Sequence, residues 1–296
     1  MFRIKQFYSS SMIIASAAVL LLFCSCGEDC ATCPGCEDGT ITPAGWFVQA
    51  QPTEEHLRAV QALNANTIIA VGDSGTILKS ADGGNTWDLI ESGTTESLRQ
   101  VSFLDEATGW IAGTNGVLLN STDGGATWTL KTPGFSTHFR DIQFIDENVG
   151  WAGGSAWGPV LLEGVVAISV DGGETWESQL SVSANSLFFV DAESGCVAGG
   201  DGQIHRTTDG GATWTTIDVG APGWLGCVCF VNANIGWVAG WGGVVFKTID
   251  GGATWTPQAD GTERTIPDIF FIDSNFGWFV ANSPGTICAT VDGGEN

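Results

Sequence analysis

Three arginines recur at one spacing in the first half of the chain. Arg58, Arg99 and Arg140 stand 41 residues apart, and each opens a short run in which apolar residues alternate. A guanidinium group is a planar fork of donors that suits carboxylate or phosphate recognition. If the spacing is that of a structural repeat, the three side chains lie at equivalent heights on neighbouring units. We therefore predict a basic arc, on one rim or channel mouth, that binds a partner.

The later units carry other residues at the same position. They are Asn185, Gly226 and Pro267. A second interpretation of the arginines stays open, in which each pairs with an acid of its own unit, such as Asp105 or Asp146 at the end of the same run. The two interpretations differ in whether the guanidinium groups are available to a ligand.

The element that must position the arginines is a repeat of nearly 40 residues. Its marker is the motif [Ser/Thr]-x-Asp-Gly-Gly-x-Thr-Trp, here called the Asp-box, which occurs six times, the last copy ending at Asn296 before its Trp. The aspartates can hold the turn, the glycines permit positive φ, and the tryptophans can pack between units. We predict an architectural role for all of them: Asp82 and Trp87, Asp123 and Trp128, Asp171 and Trp176, Asp209 and Trp214, Asp250 and Trp255, and Asp292.

Between the boxes, period-two alternation and Gly/Asn/Asp punctuation predict short antiparallel strands, four per unit. The predicted fold is all-β: a β-propeller over residues 46–296, with the Asp-box at the hairpin between the third and fourth strands of each blade. Six blades are visible. Trp46 precedes Arg58 by the offset that separates Trp87 from Arg99, so residues 46–52 are predicted to be a fourth strand that closes the last blade. The alternative is a seventh blade beyond a truncated C-terminus.

The N-terminus predicts export. Residues 1–25 have a basic start and a short apolar core, as in a secretory signal peptide. Ser25-Cys26 resembles the lipobox of bacterial lipoproteins, which predicts lipid attachment at Cys26 and a protein anchored on the periplasmic or outer-surface side of a membrane; ordinary cleavage and secretion is the alternative. Residues 26–45 are predicted to be a tether whose Cys30, Cys33 and Cys36 form local disulfides in preference to a metal site.

Composition limits the function. Removal of residues 1–25 leaves eight Lys and Arg against 33 Asp and Glu, which argues against a nucleic-acid partner. No Ser/His/Asp set, phosphate loop or His-based metal motif occurs, so we predict neither a cofactor, a metal nor a catalytic residue. Asp-boxes also occur in sialidases, but the one tyrosine, Tyr8, lies in the signal peptide. A hydrolase working with two carboxylates stays open as an alternative.

The repeat resembles the photosystem II stability/assembly factor family. The resemblance rests on Leu98-Arg-Gln-Val-Ser-Phe103, Gly109-Trp-Ile-Ala-Gly113 and Ser121-Thr-Asp-Gly-Gly-Ala-Thr-Trp128, repeated across residues 46–296. It implies a propeller that binds an assembling membrane protein, in a photosynthetic host a reaction-centre protein, with an arginine patch at the binding face. Arg58, Arg99 and Arg140 match that patch in kind.

These observations predict a non-enzymatic, lipid-anchored extracytoplasmic propeller that acts as a monomeric scaffold for a protein partner. Two alternatives from other classes are a cell-surface propeller that binds or cleaves glycans and an adhesive surface protein.

Overall fold

The computed structural model describes residues 49, 51–155, 164–258, 263–282 and 285–295. They form six antiparallel sheets in which neighbours in sequence are neighbours in space. Five sheets have four strands and the sixth has three. The prediction of an all-β propeller with about 40 residues per blade is confirmed, except that the described part of blade 6 lacks a fourth strand.

The strands follow the chain blade by blade. Blade 1 contains β1 (Leu57–Ala62), β2 (Ile68–Gly72), β3 (Ile77–Ser80) and β4 (Asp88–Ile90); blade 2 contains β5 (Leu98–Phe103), β6 (Gly109–Gly113), β7 (Leu118–Ser121) and β8 (Thr129–Lys131); blade 3 contains β9 (His138–Phe144), β10 (Gly150–Ser155), β11 (Val165–Ser169) and β12 (Glu177–Leu180). Blade 4 contains β13 (Ala184–Phe189), β14 (Gly195–Gly199), β15 (Gln203–Thr207) and β16 (Thr215–Asp218); blade 5 contains β17 (Leu225–Phe230), β18 (Gly236–Gly240), β19 (Val245–Thr248) and β20 (Thr256–Gln258); blade 6 contains β21 (Asp268–Phe271), β22 (Gly277–Ala281) and β23 (Thr286–Thr290). Single 3-10 turns follow the second strand in three blades, at Asp73–Gly75, Thr114–Gly116 and Trp241–Gly243.

The first strands of neighbouring blades pack side by side and form the inner wall of the ring. In blade 1, one end of the ring holds the start of β1 and the loop after β2, where the Asp73 amide donates to the His56 carbonyl. The other end holds the Asp-box, where the Gly83 amide donates to the Asn66 carbonyl. Functional side chains at the first end are therefore remote from the boxes.

Each Asp-box is a closed hydrogen-bonded turn. In blade 2, Asp123 Oδ1 accepts from the Thr127 amide and from Ser121 Oγ, each at 2.9 Å, and Asp123 Oδ2 accepts from Thr127 Oγ1 at 2.6 Å. These donors lower the pKa of Asp123 to about 2. The same contacts recur in blades 1, 3, 4 and 5. The carboxylates are thus engaged in holding turns.

Stacked aromatic rings join one blade to the next. Trp110 of β6 stacks on Phe144 of blade 3 at 3.7 Å between ring centroids, and Trp176 of the next box meets Phe144 edge-on at 5.7 Å. Trp151 with Phe189 and Trp237 with Phe271 repeat the stack. The glycine before each tryptophan is needed because a Cβ there would overlap the phenylalanine of its own blade. The Gly-Trp pair therefore stabilises the packing of one blade against the next.

Cys196 takes the place of the stacking tryptophan in blade 4. It is buried against the cluster that contains Phe230, and burial raises its pKa to about 12. Cys227 and Cys229 are buried as well, while Cys288 is partly exposed. The three buried cysteines therefore occupy packing positions in the sheets.

Gln49 lies against the Asp-box of blade 1. Gln49 Oε1 accepts from Trp87 Nε1 at 3.3 Å, and its side chain lies where a Cβ on Gly84 of that box would stand. Gln179, three residues after Trp176, lies in the same way against Gly211 of the blade 4 box. Gln49 is three residues after Trp46 in the sequence, as Gln179 is after Trp176, so its contact matches that of a fourth-strand residue. Closure of blade 6 by the predicted strand at 46–52 depends on Trp46, which lies outside the described residues, and stays a prediction.

Several other predictions fall outside the described residues. They are the signal peptide at 1–25, lipid attachment at Cys26, and the tether with Cys30, Cys33 and Cys36. Within the described ranges, no helix has the length and apolar character needed to cross a bilayer.

Candidate functional site

The three arginines sit at a β-bulge. In β1, Leu57 pairs with Gly72 and Ala59 with Val71, which leaves Arg58 as an extra residue without a partner on β2. The same shift leaves out Arg99 in blade 2 and Arg140 in blade 3. Blades 4 and 5 repeat it at Asn185 and Gly226. A bulge re-aims the side chain of the extra residue. The same backbone irregularity therefore recurs in five blades and aims a side chain in four of them.

The bulge residues converge on one cavity. It has a volume of about 560 Å³ and opens at the end of the ring opposite the boxes. Its lining includes the equivalent residue of all six blades: Arg58, Arg99, Arg140, Asn185, Gly226 and Pro267. The structure thus brings the three arginines together, as the 41-residue spacing predicts. We call Arg58, Arg99 and Arg140 the arginine arc; its role in partner binding stays a prediction.

Arg58 is neutralised within its own blade. Its Nε donates to Asp73 Oδ1 at 2.9 Å and its Nη2 to Asp73 Oδ2 at 2.6 Å, a two-pronged pair. This pair raises the pKa of Arg58 and lowers the pKa of Asp73. Pairing within the blade is therefore correct for Arg58, although the acid is Asp73. Asp105 and Asp146 accept from turn amides instead.

Arg99 and Arg140 differ from Arg58. The enclosed Nε of Arg99 has no hydrogen-bond partner among the described residues. Arg140 Nε donates to Ser155 Oγ at 2.8 Å, a neutral acceptor. The pKa of Arg99 is lowered by burial and then by the charge of Arg58, and that of Arg140 by burial and then by Arg99. Two cations are thus held side by side in a partly enclosed space. An incoming anion would offset both the loss of hydration and the repulsion between the two charges.

A polar belt lies directly below the arc. Asp141, fully buried, accepts from Gln100 Nε2, the Ile142 amide, Ser186 Oγ and the Leu187 amide, each at 3.0 Å. Gln100, Asp141 and Ser186 are the residues that follow the bulge in blades 2, 3 and 4. The belt therefore ties together the strands that carry Arg99, Arg140 and Asn185. The sequence analysis missed it, although a lone acid inside the strand Phe139-Arg-Asp-Ile-Gln-Phe144 is a signal.

Trp224 is a second feature that the sequence analysis missed. It lines the cavity from blade 5 and is 36% exposed. The residue two before the bulge position is polar in every other described blade, namely His56, Ser97, His138, Ser183 and Thr265. The apolar exception at this position was the available signal.

The side chains of the cavity are suited to binding an anion. The cavity contributes three guanidinium groups, with Asp73 beside Arg58 and Asp268 of blade 6 also in the lining. The described residues include no group of three or more His, Cys, Asp or Glu that could hold a metal ion. A cationic, partly apolar pocket of this size is within the range of ligand sites, about 300–1,000 Å³.

Comparison with known families and structures agrees with this fold. The model of the family described as photosynthesis system II assembly factor YCF48 matches residues 40–132 and 85–178. YCF48 from Cyanidioschyzon merolae superposes with a TM-score of 0.67 at 19% identity, over 83% of this chain and 85% of that one. No curated protein sequence matches the chain.

Two glycoside hydrolases have similar propellers. The GH74 enzyme of Niastella koreensis gives a TM-score of 0.66 at 20% identity and the GH74 xyloglucanase of Xanthomonas campestris 0.64 at 12%, over 79% and 78% of this chain. The chain spans only 45% and 44% of those enzymes. At such identities the likeness shows a shared fold and no more.

Proposed function

We propose that this photosystem II assembly factor-like β-propeller is a non-enzymatic scaffold that holds an anionic segment of a protein partner against the arginine arc. In a photosynthetic host the partner is a membrane protein of the photosystem under assembly. The propeller acts as a monomer on the extracytoplasmic side of a membrane.

The observation that carries the proposal is the state of Arg99. Its guanidinium lies between two other arginines, its Nε has no hydrogen-bond partner among the described residues, and burial and Arg58 both lower its pKa. A side chain in this state gains a charge-assisted hydrogen bond, and loses unfavourable repulsion, when a carboxylate enters. The rest of the chain is strongly acidic, so a basic mouth is a local exception that attracts acidic segments.

Arg99→Gln is expected to weaken partner binding about tenfold or more, equivalent to about 1.4 kcal/mol. The assay probes the purified exported chain against an array of peptides from the extracytoplasmic segments of the host's membrane proteins. Bound peptides should be rich in Asp and Glu, and their affinity should fall with added salt.

Lys79→Gln is the matched control, because it removes one positive charge from β3, outside the cavity lining. Its binding should equal that of the unsubstituted chain, and thermal unfolding should show both variants folded. Equal binding by Arg99→Gln, or binding of peptides without acidic residues, would contradict the proposal.

We propose that Cys26 carries the lipid that anchors the protein. The support is the signal-like segment at residues 1–25 followed by Ser25-Cys26. Cys26→Ala should abolish incorporation of a labelled fatty acid and move the protein from the membrane fraction to the soluble exported fraction. Cys30→Ala, the matched control, should keep the label. Labelling that survives in Cys26→Ala would disprove the anchor.

A further inference from the structure

We infer that the arginine arc is one half of a two-part peptide site and that Trp224 forms the other half, selecting an aromatic or large apolar side chain beside the bound carboxylate. This inference rests on the proposed function, because it names the chemistry of the segment that the arc holds.

Trp224 faces the same cavity as the arc from a different part of the ring. The arc belongs to blades 1, 2 and 3, and Trp224 belongs to blade 5. Blade 4, between them, contributes only small or uncharged residues, Ser183, Asn185 and Gly200. The cavity therefore has a cationic side and an aromatic side, and a ligand that fills it contacts both.

The backbone of blade 5 is fitted to this indole ring. Gly226 stands at the bulge position, where three other blades project an arginine. A Cβ on Gly226 would lie 2.6 Å from Trp224 Cζ3, closer than any side chain could tolerate. The indole thus occupies the space from which a bulge side chain would extend. In blade 5, an aromatic surface replaces the arginine.

A second exposed tryptophan supports the first. The Trp241 amide donates to the Trp224 carbonyl at 2.9 Å, and the Trp241 ring covers Gly223, where a Cβ would lie 2.8 Å from Trp241 Cε3. Trp241 is 47% exposed. Two large apolar side chains left partly in water next to one another, one of them in the cavity lining, indicate a contact surface, because their burial by a ligand is favourable. The loop that carries Trp224 is held in place by these contacts.

The combined surface suits a peptide in which a carboxylate neighbours a flat or bulky apolar side chain. The guanidinium groups bind the carboxylate, and the indole stacks on the ring or packs on the aliphatic group. An oligosaccharide of uronic acids offers a similar pair of features. The experiment below therefore includes it, and binding of that compound in preference to peptides would overturn the inference.

The test uses three synthetic ten-residue peptides, identical except at two central positions: Phe-Asp, Ala-Asp and Phe-Asn. Affinities for the purified exported chain are measured by titration, with an oligogalacturonate in parallel. We expect the Phe-Asp peptide to bind about tenfold more tightly than either of the others, in line with the usual strength of aromatic pairing. Trp224→Ala should remove the advantage of Phe over Ala, and Trp224→Phe should restore it.

Two controls separate the possible failures. Trp278→Ala removes an indole that is 41% exposed on blade 6, away from the cavity lining, and should leave all affinities unchanged. If Phe-Asp and Ala-Asp bind equally, and both depend on Arg99, the two-part site is wrong while the proposed function stands. If no acidic peptide binds, or if the Arg99→Gln variant binds these peptides with unchanged affinity, the proposed function is wrong and this inference is wrong with it.

Discussion

Asp141→Ala is expected to lower the free energy of unfolding by about 4 kcal/mol or more, because four buried donors would lose their acceptor and each unsatisfied donor costs at least about 1 kcal/mol. The donors are Gln100 Nε2, the Ile142 amide, Ser186 Oγ and the Leu187 amide. The loss would be spread over three blades, since these groups come from blades 2, 3 and 4. Chemical denaturation at neutral pH measures the change as a shift of the midpoint.

Asp146→Ala is the matched control. Asp146 is an exposed turn residue of the same blade, and its carboxylate accepts from the Asn148 and Val149 amides. Those amides can reach water, so the cost should stay near 1 kcal/mol. The loss of stability in Asp141→Asn should lie between those of Asp141→Ala and Asp146→Ala. The asparagine side chain keeps one oxygen acceptor, but its NH₂ group faces other donors. Equal midpoints for Asp141→Ala and Asp146→Ala would show that the belt contributes nothing.

Asp141→Ala also has a functional consequence. Gln100 and Asp141 directly follow Arg99 and Arg140, so the belt holds the two bulges that aim these side chains. Peptide binding by the variant, measured under conditions where it remains folded, should fall together with that of Arg99→Gln. Retained affinity would mean that the bulges keep their geometry without the belt.

Trp151→Ala is expected to cost about 3–5 kcal/mol of stability, as for other buried large aromatic side chains. Trp151 is fully buried between blades 3 and 4, stacks on Phe189 at 3.6 Å and donates from Nε1 to Gln179 at 3.1 Å. Its removal leaves a cavity at a blade interface that cannot collapse without shifting both sheets. The measurement is again the denaturation midpoint.

Trp278→Ala provides the control at the equivalent position of blade 6. Trp278 is 41% exposed, so its loss should cost about 1 kcal/mol or less. The contrast between two tryptophans of the same motif tests whether the stacking, rather than the residue type, stabilises the ring. If both substitutions shift the midpoint equally, the interface argument is wrong.

The blade architecture was predictable because its signals are local and repeated. An Asp-box is a turn within eight residues, and its hydrogen bonds join residues two to four apart. Because the box occurs five times in full, the strands of one blade could be identified by comparison with the others. The convergence of Arg58, Arg99 and Arg140 followed from the same periodicity, since equivalent positions in a ring face the same space.

The surroundings of the arginines were not predictable in the same way. Asp73 contacts Arg58 because the loop after β2 returns to the start of β1. Gln100 of blade 2 contacts Asp141 of the adjacent blade 3. Trp224 faces the arc because Gly226 leaves room at a bulge. Each of these contacts joins residues that are distant in sequence or depends on a backbone irregularity without a sequence pattern of its own.

The repeated motif was sufficient to predict a propeller in which three arginines share one position on consecutive blades, because a periodic fold repeats its geometry with its motif. What those arginines can bind depends on the three-dimensional arrangement of their neighbours. It neutralises Arg58 with Asp73, leaves the Arg99 Nε without a partner among the described residues, and places Trp224 on the opposite wall. Charge neutralisation and enclosure depend on atoms brought within a few ångströms by the loops of each blade and by the packing of neighbouring blades, and no spacing along the chain specifies these contacts.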